Sequence, residues 1–233
     1  MRRIVALVAV AAAVAGAGAA AAGCSDLPAV GLPGQTPAAP AEPVPGDRVP
    51  PQQVQAARTQ LAQLRVAAAR PGGYQRTRDF GPAWSVDVDR NGCGTRDDVL
   101  RRDLEQVKLR GRCTVIAGVL HDPYTGRTVT FAKARAAEVQ IDHIVPLADA
   151  WSLGARDWPQ ASRERFANDP VNLQATISEA NQSKGDDGPA QWLPRQAYRC
   201  AYAVRWVRVS ARYHLAVTPA DRATLSAQLR GCP

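Results

Sequence analysis

The sequence has no Cys-x-x-Cys pair, so a zinc site of the usual spacing is a poor reading of its cysteines. Lysine is almost absent. Of 29 basic residues only Lys108, Lys133 and Lys184 are lysines. Such an arginine excess also arises from GC-rich coding. The net charge of +8, of which Arg2 and Arg3 supply two, therefore favours an anionic partner such as nucleic acid only modestly. Histidine is equally scarce, with three residues, of which His121 and His214 read as structural. No internal repeat is visible. From Ile4 to Ala22 there is no charge at all, only small and aliphatic residues.

That uncharged run follows Arg2 and Arg3 and closes on Ala21-Ala22-Gly23-Cys24. A positive start, an apolar stretch and small residues at the cut read as a secretory signal over residues 1–23. A transmembrane helix is the competing reading, and the Ala and Gly content speaks against it. Gly23-Cys24 resembles a bacterial lipobox, with Cys24 the lipidated residue, although Ala21 stands where Leu is usual. Cleavage without lipid is the alternative. Residues 24–51 are rich in Pro and Ala and read as a disordered spacer. One domain is expected over residues 52–233, long enough for its own core.

Of five cysteines, Cys24 is the lipid candidate, which leaves an even number for an oxidising compartment. Order alone allows three pairings of the remaining four. Cys93–Cys113 and Cys200–Cys232 are favoured because each pair lies within one local unit.

Periodicity predicts a helix through Val54, Leu61, Leu64 and Ala68, ended by Pro71-Gly72-Gly73. A loop carries Tyr74, Phe80 and Trp84. A second helix is predicted over 97–108, with Val99, Leu100, Leu104 and Val107 inward. Strands are predicted over 113–120, 128–131 and 138–145, the last stopped by Pro146. Beyond it the chain reads as helical over 147–154, 160–167, 176–183, 195–213 and 219–230. The class is α+β.

The most informative segment is Ile141-Asp142-His143-Ile144-Val145-Pro146. Downstream stand Asn172, in Asp169-Pro170-Val171-Asn172-Leu173, and Asn181, in Asn181-Gln182-Ser183-Lys184. Asp-His, then Asn, then a second Asn is the order of the ββα-metal nuclease motif in its H-N-N version. With Ala150-Trp151, Trp158, Arg165-Phe166-Ala167-Asn168-Asp169, Lys184-Gly185-Asp186 and Trp192-Leu193-Pro194, these words resemble a family of secreted HNH proteins of high-GC Gram-positive bacteria. That family is similar to the C-terminal nuclease domain of GmrSD-type restriction enzymes. The resemblance spans about residues 74 to 232.

Hydrolysis of a phosphodiester needs an activated water, a counter-charge for the transition state and help for the leaving oxygen. A neutral imidazole takes the water proton near neutral pH. A hard cation on oxygen ligands serves the phosphate. The resemblance implies His143 as general base, Asp142 and Asn181 as metal ligands, and Asn172 as the residue that pins the His143 loop. It implies a ββα-metal (HNH) motif within a mainly helical, disulfide-stabilised domain. Asn181 in place of the more usual His favours Mg²⁺ or Mn²⁺ over Zn²⁺ or Ni²⁺. Lys184 is expected to contact phosphate, its alternative being a solvated helix end. Trp151, Trp158 and Trp192 are expected in the core.

Asp87-Val88-Asp89-Arg90-Asn91-Gly92 resembles the first half of a calcium loop, with Asp98 at the twelfth place where Glu is usual. An Asx-rich turn is the alternative for Asp87, Asp89 and Asn91. The function expected is a metal-dependent endonuclease on DNA or RNA. It would act as a monomer outside the cytoplasmic membrane, tethered only by its lipid. The rival is a catalytically silent envelope lipoprotein that binds a partner.

Overall fold

Backbone pairing decides the fold wherever local patterning is ambiguous. The computed structural model describes residues 46–84 and 86–233. The leader, Cys24 and most of the Pro/Ala-rich spacer lie outside the described residues. Among the described residues no helix is long and apolar enough to cross a membrane. The packed chain reaches slightly further back than residue 52. Both carboxylate oxygens of Asp47 accept from Arg195 Nη2, at 2.5 and 2.6 Å, and Val49 packs on the core.

Helix α1 (Pro51–Gln63) opens on a proline, whose missing N–H is no loss in a first turn, and buries Val54, Ala57 and Leu61. It stops well before Pro71. Beyond it the Ala67 N–H donates to Val217 O, and the Val217 N–H to Arg65 O, so these residues pair as extended chain. A short helix α2 (Arg76–Phe80) lies inside the segment expected to be loop.

The largest departure from the periodicity is at Leu104. Helix α3 (Thr95–Asp103) ends there, and β1 (Leu104–Arg110) begins. It joins β2 (Thr114–His121) and β3 (Thr128–Ala132) in an antiparallel sheet of order β1-β2-β3. Leu100, Leu104 and Val107 fit a helical stripe. Pairing with β2 overrides that stripe because it satisfies the backbone groups of both segments. A register shift between Glu105 and Lys108, with Gln106 at φ 51°, marks a bulge that bends the strand.

A second sheet holds β4 (Val139–His143) and β5 (Leu173–Ile177), antiparallel, with Asp142 opposite Gln174 and His143 opposite Leu173. Helix α6 (Ser178–Lys184) follows β5 directly and ends at Gly185, whose φ of 53° suits a residue without Cβ. Helices α4 (Leu147–Ser152) and α5 (Gln160–Asn168) occupy the connection between the two strands. β5 was not expected. All five of its residues are buried, so it shows no alternation to read.

The core forms around α7 (Arg199–Arg212), which buries Tyr202, Ala203, Trp206, Val207 and Val209 and packs against α1 and α8 (Pro219–Arg230). Thr218 caps α8, its Oγ1 accepting from the Asp221 N–H at 3.1 Å. Trp151, Trp158 and Trp192 are partly buried against this core. Both local cystine pairings are present: Cys93–Cys113 with Cα atoms 5.3 Å apart, and Cys200–Cys232 at 5.4 Å.

Candidate active site

His143 is the last residue of β4, and its surroundings settle what its ring can do. The residue is 7% exposed. Its Nε2 lies 2.8 Å from the carbonyl oxygen of Ala167, at the end of α5. A carbonyl only accepts, so Nε2 carries the proton and Nδ1 is left bare. Trp84 lies alongside the imidazole with its plane within 9° and centroids 6.1 Å apart. Burial pushes the His143 pKa down to about 3, aided by the charges of Arg76 and Lys184 and opposed by the Ala167 bond. The ring is therefore neutral in the free protein at ordinary pH.

The backbone beyond His143 is clamped by Asn172. Its Oδ1 accepts from the Val145 N–H at 2.8 Å, and its Nδ2 donates to Val145 O at 3.2 Å. Its carbonyl accepts from the Ile144 N–H at 2.7 Å. One buried asparagine thus bonds the backbone at the exit of β4 three times.

Asp142 is buried between two donors. Lys184 Nζ donates to Oδ1 at 3.0 Å, and the Tyr124 hydroxyl donates to Oδ2 at 2.5 Å. Burial raises the Asp142 pKa, while Lys184 and Tyr124 act against that rise. Each carboxylate oxygen keeps further lone-pair capacity. Lys184 is the correction here. It was expected at a phosphate or in solvent, yet it is wholly buried and also donates to His143 O at 2.8 Å. Its ammonium is committed to Asp142 and the strand end, so it cannot reach a bound phosphate.

Asn181 faces the same region from α6. Its Nδ2 donates to Gln140 Oε1 at 2.7 Å, which orients the amide. No donor among the described residues engages its Oδ1, so an amide oxygen is left to serve as a ligand. Asp142, His143 and Asn181 line one cavity of about 220 Å³ together with Tyr74, Arg76 and Asp186. Neighbours on a strand normally point to opposite faces. Here both Asp142 and His143 reach the cavity because the strand ends at the histidine.

A larger cavity of about 360 Å³ lies against Arg102, Asp103, Tyr198 and Arg205. Its buried charges are paired within the fold: Arg205 donates to Tyr198 and Leu173 O, and Asp103 accepts from Arg102 and the Ala175 N–H.

Residues 94–228 match the family described as GmrSD restriction endonucleases, C-terminal domain. The chain belongs to this family. It is also 41% identical over 168 residues to a protein of Arthroderma benhamiae named as an uncharacterized secreted protein, across 70% of this chain and 79% of that one. The GmrSD C-terminal-domain match contains β4, β5 and α6, hence Asp142, His143, Asn172, Asn181 and Lys184. It leaves out residues 74–84, which bring Tyr74, Arg76 and Trp84 to the same place.

Sequence reasoning missed Tyr124, Arg76 and the Ala167 carbonyl. Tyr124 lies in a turn between β2 and β3, and only a buried tyrosine in a polar turn could have signalled it. The other two approach from elements distant in sequence and left no local sign.

The expected calcium loop folds as a turn closed by its own bonds. Gly92 N–H donates to Asp87 Oδ2 at 2.7 Å, and Asn91 Nδ2 donates to Asp89 and Asp98 at 2.9 and 3.0 Å. An amide donor from Asn91 thus sits between the carboxylates, an arrangement that fits the Asx-turn alternative. Among the described residues no group of three or more His, Cys, Asp or Glu side chains is arranged to hold a metal.

Proposed function

We propose that the protein is an exported phosphodiester hydrolase that cuts DNA or RNA, with His143 as general base. The observation that carries this reading is the Nε2 bond to Ala167 O, which leaves Nδ1 unprotonated on a residue that lines one cavity with Asp142 and Asn181. A water held at Nδ1 gives its proton to the ring as it attacks phosphorus, the P–O3′ bond breaks, and the departing 3′ oxygen takes a proton from solvent, leaving 5′-phosphate and 3′-hydroxyl ends. Asn172 and Lys184 hold the strand end that aims the ring. As phosphate charge enters beside the imidazole, its protonated form gains stability, which strengthens the base.

Asp142 and Asn181 would hold a divalent cation. The fit rests on their donor chemistry: a carboxylate and an undonated amide oxygen bordering one cavity suit Mg²⁺ or Mn²⁺. When bound, such an ion supplies counter-charge to the phosphate and the leaving oxygen. The secreted relative and the leader-like first residues support action outside the cytoplasm, tethered through Cys24.

The test is plasmid cleavage by the purified domain. Nicking in Mg²⁺ or Mn²⁺, its loss in EDTA, and a fall of roughly 10²–10⁴-fold in His143→Ala are the expected outcomes. Cleavage that survives EDTA removes the metal, and an active His143→Ala removes the base.

A further inference from the structure

The cavity at His143 must receive an anion, yet its own walls are short of positive charge. Asp142 and Asp186 border it, and the Lys184 ammonium is already bonded to Asp142 and to the strand end. Arg76 is the one cation among the described residues that line it. Arg76 is exposed, and its guanidinium makes no hydrogen bond or ion pair with any described residue. A free guanidinium beside a candidate base has the planar donor set that fits two phosphate oxygens at once.

Its placement is built rather than incidental. Arg76 opens α2, whose other end is fixed in the core. Phe80 is 1% exposed, with its ring 6.1 Å from Phe166 and 6.0 Å from Tyr74. Asp79 is buried and accepts from the Gln75 N–H at 2.6 Å and from Arg78. Arg163 donates to Asp79 O at 2.7 Å, which ties α2 to α5, the helix that also supplies the Ala167 carbonyl to His143. The segment that carries Arg76 and the ring of His143 are thus both tied to α5.

We propose that Arg76 binds the scissile phosphate. On this assignment residues 74–84, which precede the family match at 94–228, complete the active site, with Arg76 as electrophile and Trp84 as the wall beside the base. The guanidinium neutralises charge that grows on the non-bridging oxygens as water adds, so its contribution is larger in the transition state than in the bound substrate. The assignment rests on the hydrolase reading above.

The experiment compares wild type, Arg76→Ala and Arg76→Lys on plasmid and on the p-nitrophenyl ester of thymidine 5′-monophosphate, which offers a single phosphate. Arg76→Ala is expected to lose roughly 10²–10³-fold in kcat on both substrates. Arg76→Lys should fall between, and added guanidinium ion should restore part of the Arg76→Ala rate. The melting temperature should stay near wild type, since the side chain is exposed and unbonded. Arg76→Gln replaces Arg76→Ala should the latter fail to fold. A loss seen on plasmid but absent on the single-phosphate ester overturns the assignment, because Arg76 would then grip a flanking phosphate. So does a variant within threefold of wild type on both. If wild type itself cleaves neither substrate in Mg²⁺ or Mn²⁺, the hydrolase reading falls and this assignment with it.

Discussion

Lys184 shows how a single buried charge is held in place. A wholly buried ammonium is tolerated only against a carboxylate and a carbonyl, and here these are Asp142 and His143 O. Removing it strands the carboxylate, so Lys184→Ala is expected to destabilise the fold by roughly 3–5 kcal/mol, read by urea melts. A surface phosphate contact would leave the midpoint unchanged. Asp149, on α4, is the converse case. Its Oδ2 is buried with no partner among the described residues, and burial together with Asp221 pushes its pKa up to about 7. A carboxyl raised in the fold above its unfolded value of roughly 4 stabilises when protonated, and that contribution is lost as pH rises from about 4 through 7. Asp149→Asn should therefore stabilise the protein at pH 8 and do little at pH 4. An equal effect at both values would show that Asp149 does not titrate in this window.

At the scale of elements, β4, β5 and α6 divide the work between the two asparagines. Asn172 sits just before β5 and its side chain bonds only backbone of the β4 exit, whereas Asn181 lines the cavity from α6 with an amide oxygen that no described donor engages. The two should fail differently when cleavage rate is followed against Mn²⁺ concentration. Asn172→Ala is expected to lose maximal rate with an unchanged metal midpoint. Asn181→Ala is expected to need more metal, and Asn181→His to shift preference toward Ni²⁺, Co²⁺ or Zn²⁺. An unchanged metal midpoint in Asn181→Ala would remove it from the ligand set. These residues were legible in the sequence through the order and flanking words that resemble the nuclease family, since each asparagine alone reads as an ordinary turn or helix residue. β5 was not legible, since a strand buried on both faces carries no period.

At the scale of the whole molecule, two cystines fit the oxidising compartment that the proposed export would reach. The cystines close loops of 20 and 32 residues, each worth about 3–4 kcal/mol by loop entropy. They join the loop before α3 to the β1–β2 turn, and the start of α7 to the chain end. The expected consequence of export is a protein found with membranes when made in a Gram-positive host. Cys24→Ser should release it to the medium or leave it unprocessed. A wild-type protein already wholly in the medium would show that Cys24 carries no lipid.

The sequence by itself determined the family and favoured the local cystine pairs, because motif words and near neighbours are written in short-range order; of the three pairings it allowed, the fold joins Cys93 to Cys113 and Cys200 to Cys232. It also placed Asp142, His143, Asn172 and Asn181 in sequence order. Tertiary structure decided what those residues are bonded to. Leu104–Arg110 is a strand because β2 offers it a backbone partner, against its own helical stripe. Lys184 is an internal counter-ion rather than a phosphate contact because Asp142 needs one where water is excluded. Arg76 takes the vacant role at the cavity because α2 is anchored on α5 through Phe80 and Arg163. Such pairings join groups far apart in the chain, and only packing chooses between the candidates.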